Sequence, residues 1–93
     1  MQRLDRNAVS QKLAALPGWS LEGEEIVRNY TFPDFIAAMR FVNEVAEQAE
    51  RAAHHPDIDI RYNRVRLALV THDAGGLTEL DFQLAAACDA LIR

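Results

Sequence analysis

Residues 57–69 constrain the fold more than any other stretch of this chain. Ile58, Ile60 and Tyr62 alternate with Asp57, Asp59 and Arg61, and Val65, Leu67 and Leu69 alternate with Arg64, Arg66 and Ala68. Such alternation marks half-buried strands, and two runs this close make an antiparallel hairpin. With Asn63-Arg64 as a two-residue turn, Tyr62 faces Val65, Ile60 faces Leu67 and Ile58 faces Leu69. All six apolar residues then share one face, which a one-residue slip would destroy. The same register, carried beyond the strands, sets Pro56 opposite Thr71 and His55 opposite His72. His54, His55 and His72 are the only histidines of the chain, so all of them gather at the open mouth of this hairpin.

Helical periodicity accounts for most of the remainder. Val9, Leu13 and Leu16 share a face over residues 7–16, and Pro17-Gly18 stops that helix. Residues 19–22 and 25–32 read as a first hairpin around Glu22-Gly23-Glu24. Pro33 suits the first turn of a long helix. Phe35, Ile36, Met39, Val42, Val45, Ala46 and Ala49 recur along it at helical spacing, with Glu47 and Arg51 as an i,i+4 pair. Pro56 ends it, because the residue before a proline avoids helical geometry. His54 and His55 are thereby placed at its C-terminal end. After Gly75-Gly76, Thr78-Glu79-Leu80-Asp81 resembles a capping box with Asp in place of the usual Glu. A last helix follows, with Leu80, Leu84, Ala85, Cys88, Leu91 and Ile92 as its apolar face. The element order predicts an α+β fold, a four-stranded antiparallel sheet with helices packed on one face in a two-layer sandwich.

At 93 residues the chain is expected to form one domain, 1–93. The 49% hydrophobic and 26% charged residues are ordinary globular composition and speak against disorder. A net charge of −4 and the lack of a basic stripe argue against direct nucleic-acid binding. No apolar run reaches membrane-spanning length, and no apolar stretch follows the first positive charges, so neither a membrane span nor a secretory signal is expected. The lone cysteine, Cys88, excludes an internal disulfide and reads as a small core residue. It suits a reducing cytosol, so a cytoplasmic location is expected.

The histidine cluster points to proton chemistry. A histidine titrates near neutrality and can donate or accept a proton there. Each member also has an ordinary explanation. His54 and His55 would be favoured as cations at a helix C-terminus. His72 would be a polar residue at a strand end. Glu50, four residues before His54 and on the same helical side, would be a solvated glutamate. Asp81 would be a cap residue and nothing more. Convergence of three histidines out of three weighs against all of these at once. A zinc site is the rival chemistry. However, neighbouring histidines diverge on regular structure and the i,i+4 pair of a helical zinc site is missing, so no metal is expected. No thiol or hydroxyl is evidently activated for nucleophilic attack.

The residues Glu50-x-x-x-His54-His55-Pro56, then Tyr62, His72 and Asp81, resemble the signature of the pterin-4a-carbinolamine dehydratase family. Five residues separate Pro56 from Tyr62, nine separate Tyr62 from His72, and eight separate His72 from Asp81. Gly18-Trp19, Gln48-Ala49-Glu50, Tyr62-Asn63-Arg64-Val65 and Thr71-His72 are similar to the family as well. Asp57-Ile58 departs from members that carry a bulkier aromatic after the proline, which would alter the pocket rim.

The resemblance implies a hydro-lyase that removes water from 4a-hydroxytetrahydropterin to give quinonoid dihydropterin, in tetrahydrobiopterin recycling. It implies no metal or redox cofactor. The catalytic set would be His54, His55 and His72, with His54 the principal general acid or base, His72 the second proton-transfer group, and His55 orienting or hydrogen-bonding the substrate and sharing the acid–base work. Glu50 would tune His54 or bind the pterin, and Asp81, Pro56 and Thr71 would support the site. The resemblance further implies a homodimer or homotetramer, with an aromatic amino-acid hydroxylase as pathway partner. The competing reading is a protein-interaction or dimerisation module, similar to a transcriptional coactivator, without catalysis. Ala68 and Val70, on the strand face opposite the main apolar one, hint at a contact surface for it.

Overall fold

The computed structural model describes residues 2–92; Met1 and Arg93, the ends of the expected 1–93 domain, lie outside the described residues. Each helix opens on a side chain that accepts a backbone N–H. Asp5 accepts from Ala8 before α1 (Arg6–Ala14), Asp34 accepts from Ala37 before α2 (Phe35–Ala52), and Thr78 accepts from Leu80 before α3 (Glu79–Asp89). These caps satisfy donors that a helix start leaves open. They also correct one boundary, because Pro33 precedes the Asp34 cap instead of lying in the first turn of α2. The strands β1 (Ser20–Glu22), β2 (Glu25–Thr31), β3 (Asp57–Arg61) and β4 (Arg64–Leu69) form one antiparallel sheet in the order β1-β2-β4-β3. The expected α+β arrangement is therefore present.

The second hairpin is shifted from its expected register by two residues. Ile58 faces Leu67 and Ile60 faces Val65, so the turn is Tyr62-Asn63 and not Asn63-Arg64. Tyr62 has φ 52, the left-handed region that a tight hairpin turn demands and a bulky residue seldom occupies. Asn63 decides the matter. Its Nδ2 donates to the Phe32 carbonyl at 2.8 Å, and the Phe32 N–H donates to the Asn63 carbonyl at 2.8 Å. These bonds tie the turn to the end of β2 and leave Tyr62 exposed at the tip, away from the apolar face. A shift of two keeps every strand side chain on its own side, so alternation cannot distinguish the two registers.

Ile26, Tyr30, Val65, Leu67 and Leu69 form the buried face of the sheet, in one cluster with Phe41, Val45, Phe82, Leu84, Ala85 and Cys88 from the helices. Only part of the apolar pattern of α2 takes part. Of the residues named for it, Val45 and Ala49 are buried, whereas Phe35 and Ile36 are 46% and 58% exposed; Ala38 and Phe41, not among those named, complete the buried stripe. The residues expected to share a face are two stripes, and a helix lying on a sheet can bury only one. On the open face, Ala68 is buried between Val27 and Asp57 on the neighbouring strands. Val70 lies beyond the end of β4, facing the histidines. Neither supplies the contact surface that their alternation hinted at.

Asp89 fastens the far end of α3. It accepts from Trp19 Nε1 at 3.1 Å, Arg28 Nη1 at 2.9 Å and Tyr30 Oη at 2.6 Å. A carboxylate at a helix C-terminus opposes the helix dipole, and these three donors offset that cost. Burial, then the hydrogen bond and charge of Asp89, push the Tyr30 hydroxyl above its ordinary range. Burial first, and Asp89 second, push the Cys88 thiol up to about 12. Native Cys88 is therefore expected to resist iodoacetamide at neutral pH and to react only after denaturation, as read by mass spectrometry. Its contribution to stability should be complete below the ordinary thiol value of 9.0 and lost as pH rises through about 12. Over that interval the unfolded chain releases the thiol proton while the folded chain keeps it. Native alkylation as fast as in denaturant would contradict this placement.

Candidate active site

The site begins where α2 stops. Ala53 adopts φ 51, its N–H donates to the Glu50 carbonyl at 3.2 Å, and the His54 N–H donates to the Ala49 carbonyl at 3.1 Å. This is the paired bonding of a Schellman cap, with Ala at a position that glycine usually fills. The chain turns sharply there, so His54 and His55 leave the helix and its i,i+4 geometry. Glu50 consequently does not reach His54, as its spacing implied. Its Oε2 lies 2.6 Å from Nε2 of His55, in an exposed pair. Exposed pairs of this kind contribute little to stability.

His54 turns inward instead. Its Nε2 lies 2.5 Å from Oδ1 of Asp81, which is fully buried. Oδ2 of Asp81 accepts from the Thr71 hydroxyl at 2.7 Å and from the Thr78 N–H at 2.9 Å. Thr71 has one hydroxyl proton and gives it to Asp81, so the 2.8 Å contact between the Thr71 and Thr78 hydroxyls is donated by Thr78. The capping box read from the sequence is present. Asp81 uses one oxygen for the cap and offers the other to His54. A ring whose Nε2 is engaged by a carboxylate keeps Nδ1 for a second partner. The expected opposition of His55 and His72 is replaced accordingly: in the observed register, carried past the strands, His54 stands level with Thr71.

His72 comes from the short loop that follows β4. Thr71 and Gly76 exchange backbone bonds of 3.1 and 3.3 Å, which pin a short loop at its base. Its 3₁₀ turn, His72–Ala74, ends at Gly75 with φ 75. The three histidines line one cavity of about 280 Å³ together with Val70, Thr71 and Asp73. Convergence at the hairpin mouth therefore holds although the register does not. Pro56 stands half-buried before β3, and neither Pro56 nor Glu50 lines the cavity. Asp73 was not singled out from the sequence; its adjacency to His72 was the one available signal.

Two other hollows, of about 290 and 390 Å³, contain no histidine. Size does not identify the site; its side chains do. Ligand pockets typically span roughly 300–1,000 Å³, so this cavity suits a small ring system. Among the described residues, no three His, Cys, Asp or Glu side chains converge in a way that would hold a metal ion. Nor, among those residues, is any helix long and apolar enough to cross a membrane.

The profile of the family described as pterin 4 alpha carbinolamine dehydratase matches residues 2–91. A protein of Acidobacterium capsulatum, provisionally named pterin-4-alpha-carbinolamine dehydratase, is 64% identical over 92 residues, covering 99% of this chain and 100% of the relative. A Chloroflexus aurantiacus protein with the same provisional name is 61% identical over 92 residues, covering 99% of each. Among solved structures, a transcriptional coactivator/pterin dehydratase from Brucella melitensis superimposes with a TM-score of 0.94 at 38% identity, over 99% of this chain and 100% of that one. With nearly the whole chain matched at this level, and the histidines of the signature meeting in one cavity, the protein belongs to the pterin 4 alpha carbinolamine dehydratase family.

Proposed function

We propose that this chain dehydrates 4a-hydroxytetrahydropterin to quinonoid dihydropterin by histidine acid–base catalysis, in the recycling of tetrahydrobiopterin. The observation that carries this reading is His54, held by the buried carboxylate of Asp81 within the cavity that all three histidines share. The reaction breaks the C4a–O bond. A proton must reach the departing hydroxyl and N5 must lose one, so that C4a and N5 form a double bond and one water leaves. His54 is the principal acid–base group, acting through Nδ1 while Asp81 holds Nε2 and balances the ring's charge when it is protonated. His72, which lines the same cavity, is the second proton-transfer group. His55, steadied by Glu50, orients the substrate.

The direct test follows the decay of freshly formed 4a-hydroxytetrahydropterin by ultraviolet absorbance, with a chelator present. Acceleration that survives the chelator is the expected result. Acceleration lost with the chelator would transfer the chemistry to a metal, and no acceleration would overturn the reading. A second reading, a dimerisation module akin to a coactivator, draws on exposed Phe35 and Ile36 and on the coactivator name of the Brucella protein. It would be favoured by stable self-association or partner capture without any acceleration.

A further inference from the structure

Residues 3 and 4 stand before Asp5, the cap of α1, so that helix does not need them to start. They run along residues 75–77 instead. Arg3 Nη1 donates to the Gly75 carbonyl at 3.3 Å, and the Leu4 N–H donates to the Leu77 carbonyl at 2.8 Å. Between these two bonds the stem of Arg3 lies over Gly76. A Cβ at Gly76 would stand 2.6 Å from Cδ of Arg3 and 3.1 Å from its Cγ. Gly76 is outside the left-handed region, so its backbone does not call for glycine, and the place taken by Arg3 does. Leu4 anchors the segment by packing against the core. The residues gripped in this way close the loop that carries His72. The Gly75 N–H donates to the His72 carbonyl at 3.0 Å, and Gly76 bonds Thr71 at the base. His54 and His55 each have a carboxylate partner, whereas among the described residues no carboxylate bonds His72. Its place in the cavity depends on its loop.

We infer that Arg3 is a positioning residue for His72, acting through Gly75 and Gly76 from outside the cavity. The inference rests on the dehydratase reading for the role of His72 and adds the segment that holds it in place. Arg3 does not line the cavity, so its effect on the reaction passes through the loop. A displaced proton carrier costs rate even when it is chemically intact.

Amide hydrogen exchange and kinetics of the full chain test it together. In Arg3→Ala the amides of Ala74, Gly75 and Gly76, all bonded within the loop, should exchange roughly 2- to 10-fold faster, the loss of one hydrogen bond. Those of the sheet should stay as they were. The kcat of dehydration should fall by a similar factor, roughly 2- to 10-fold. In a His72→Ala background the same substitution should leave kcat where His72→Ala alone puts it. Arg3→Lys keeps the stem and a donor and should restore most of both readouts. Gly76→Ala should act from the loop side by pushing the Arg3 stem away, and adding Arg3→Ala to it should change exchange little; fully additive effects would overturn the contact. Arg3 is exposed, and circular dichroism of each variant checks that the fold is kept. Wild-type exchange or wild-type kcat in Arg3→Ala would overturn the inference. So would the same fold-loss of kcat with and without His72, which would make Arg3 a purely structural residue. If the wild type accelerates no dehydration, the dehydratase reading falls and exchange at residues 74–76 decides alone. Faster exchange in Arg3→Ala then keeps the clamp on the loop, and unchanged exchange removes it as well.

Discussion

His54→Ala is expected to lower turnover of 4a-hydroxytetrahydropterin by roughly 10²–10⁴-fold, the usual contribution of a positioned acid–base group. The fold should survive. His54 lies at the edge of the core and not within it, and Asp81 keeps its bonds from Thr71 and Thr78 when the ring is gone. Steady-state rates, with far-UV circular dichroism on the same samples, check both halves of the statement. His55→Ala should cost less, because His55 is exposed and tied only to an exposed glutamate. An unchanged rate in His54→Ala would remove His54 from the mechanism.

Two substitutions at Asp81 should separate stability from catalysis. Asp81→Ala strands three donors in the interior, those of Thr71, Thr78 and His54. Breaking a buried pair by deleting one partner costs about 3–5 kcal/mol, out of a total of roughly 5–15 kcal/mol for a typical domain. For a chain of this length, that corresponds to a fall in Tm on the order of 20 °C. Asp81→Asn behaves differently. Its carbonyl can take the place of Oδ2 and accept from Thr71 and Thr78, so much of the stability is kept. Its amide then faces His54 as a donor, which forces Nε2 to accept and moves the ring proton to Nδ1. A folded protein with the wrong tautomer should lose roughly 10²–10⁴-fold in rate. Calorimetric Tm and kcat on both variants make the comparison, and Asp81→Asn with wild-type turnover would show that the orientation of His54 does not matter.

The sequence carried the architecture further than it carried the side-chain partnerships. Period-two alternation placed Ile58, Ile60, Val65, Leu67 and Leu69 on one face, since facing depends only on parity, but it did not show that Ile58 and Ile60, on the edge strand β3, stay exposed while the β4 residues are buried. It could not fix the register, which two hydrogen bonds between Asn63 and Phe32 decide from a distant part of the chain. The grouping of His54, His55 and His72 was legible because a two-residue shift leaves all three at the same end of the hairpin. The partner of Glu50 was misread because i,i+4 spacing presumes a helix that continues, and the left-handed turn at Ala53 ends it. Asp81 was legible as a cap but not as the partner of His54, a contact between residues 27 apart in sequence. Only tertiary packing creates that contact.

That separation has a consequence for a chain made from its N-terminus onward. All four strands and all three histidines precede α3. The carboxylate bonded to His54 comes from Asp81, at the start of the last helix, and one of its two other donors is the Thr78 N–H just before it; the second, the Thr71 hydroxyl, lies earlier in the chain. A chain interrupted before residue 78 would hold all three histidines and lack the carboxylate that bonds His54. On the proposed mechanism, the alignment of His54 is thereby withheld until residue 81 has been made, and a product truncated before it would keep the histidines without that alignment.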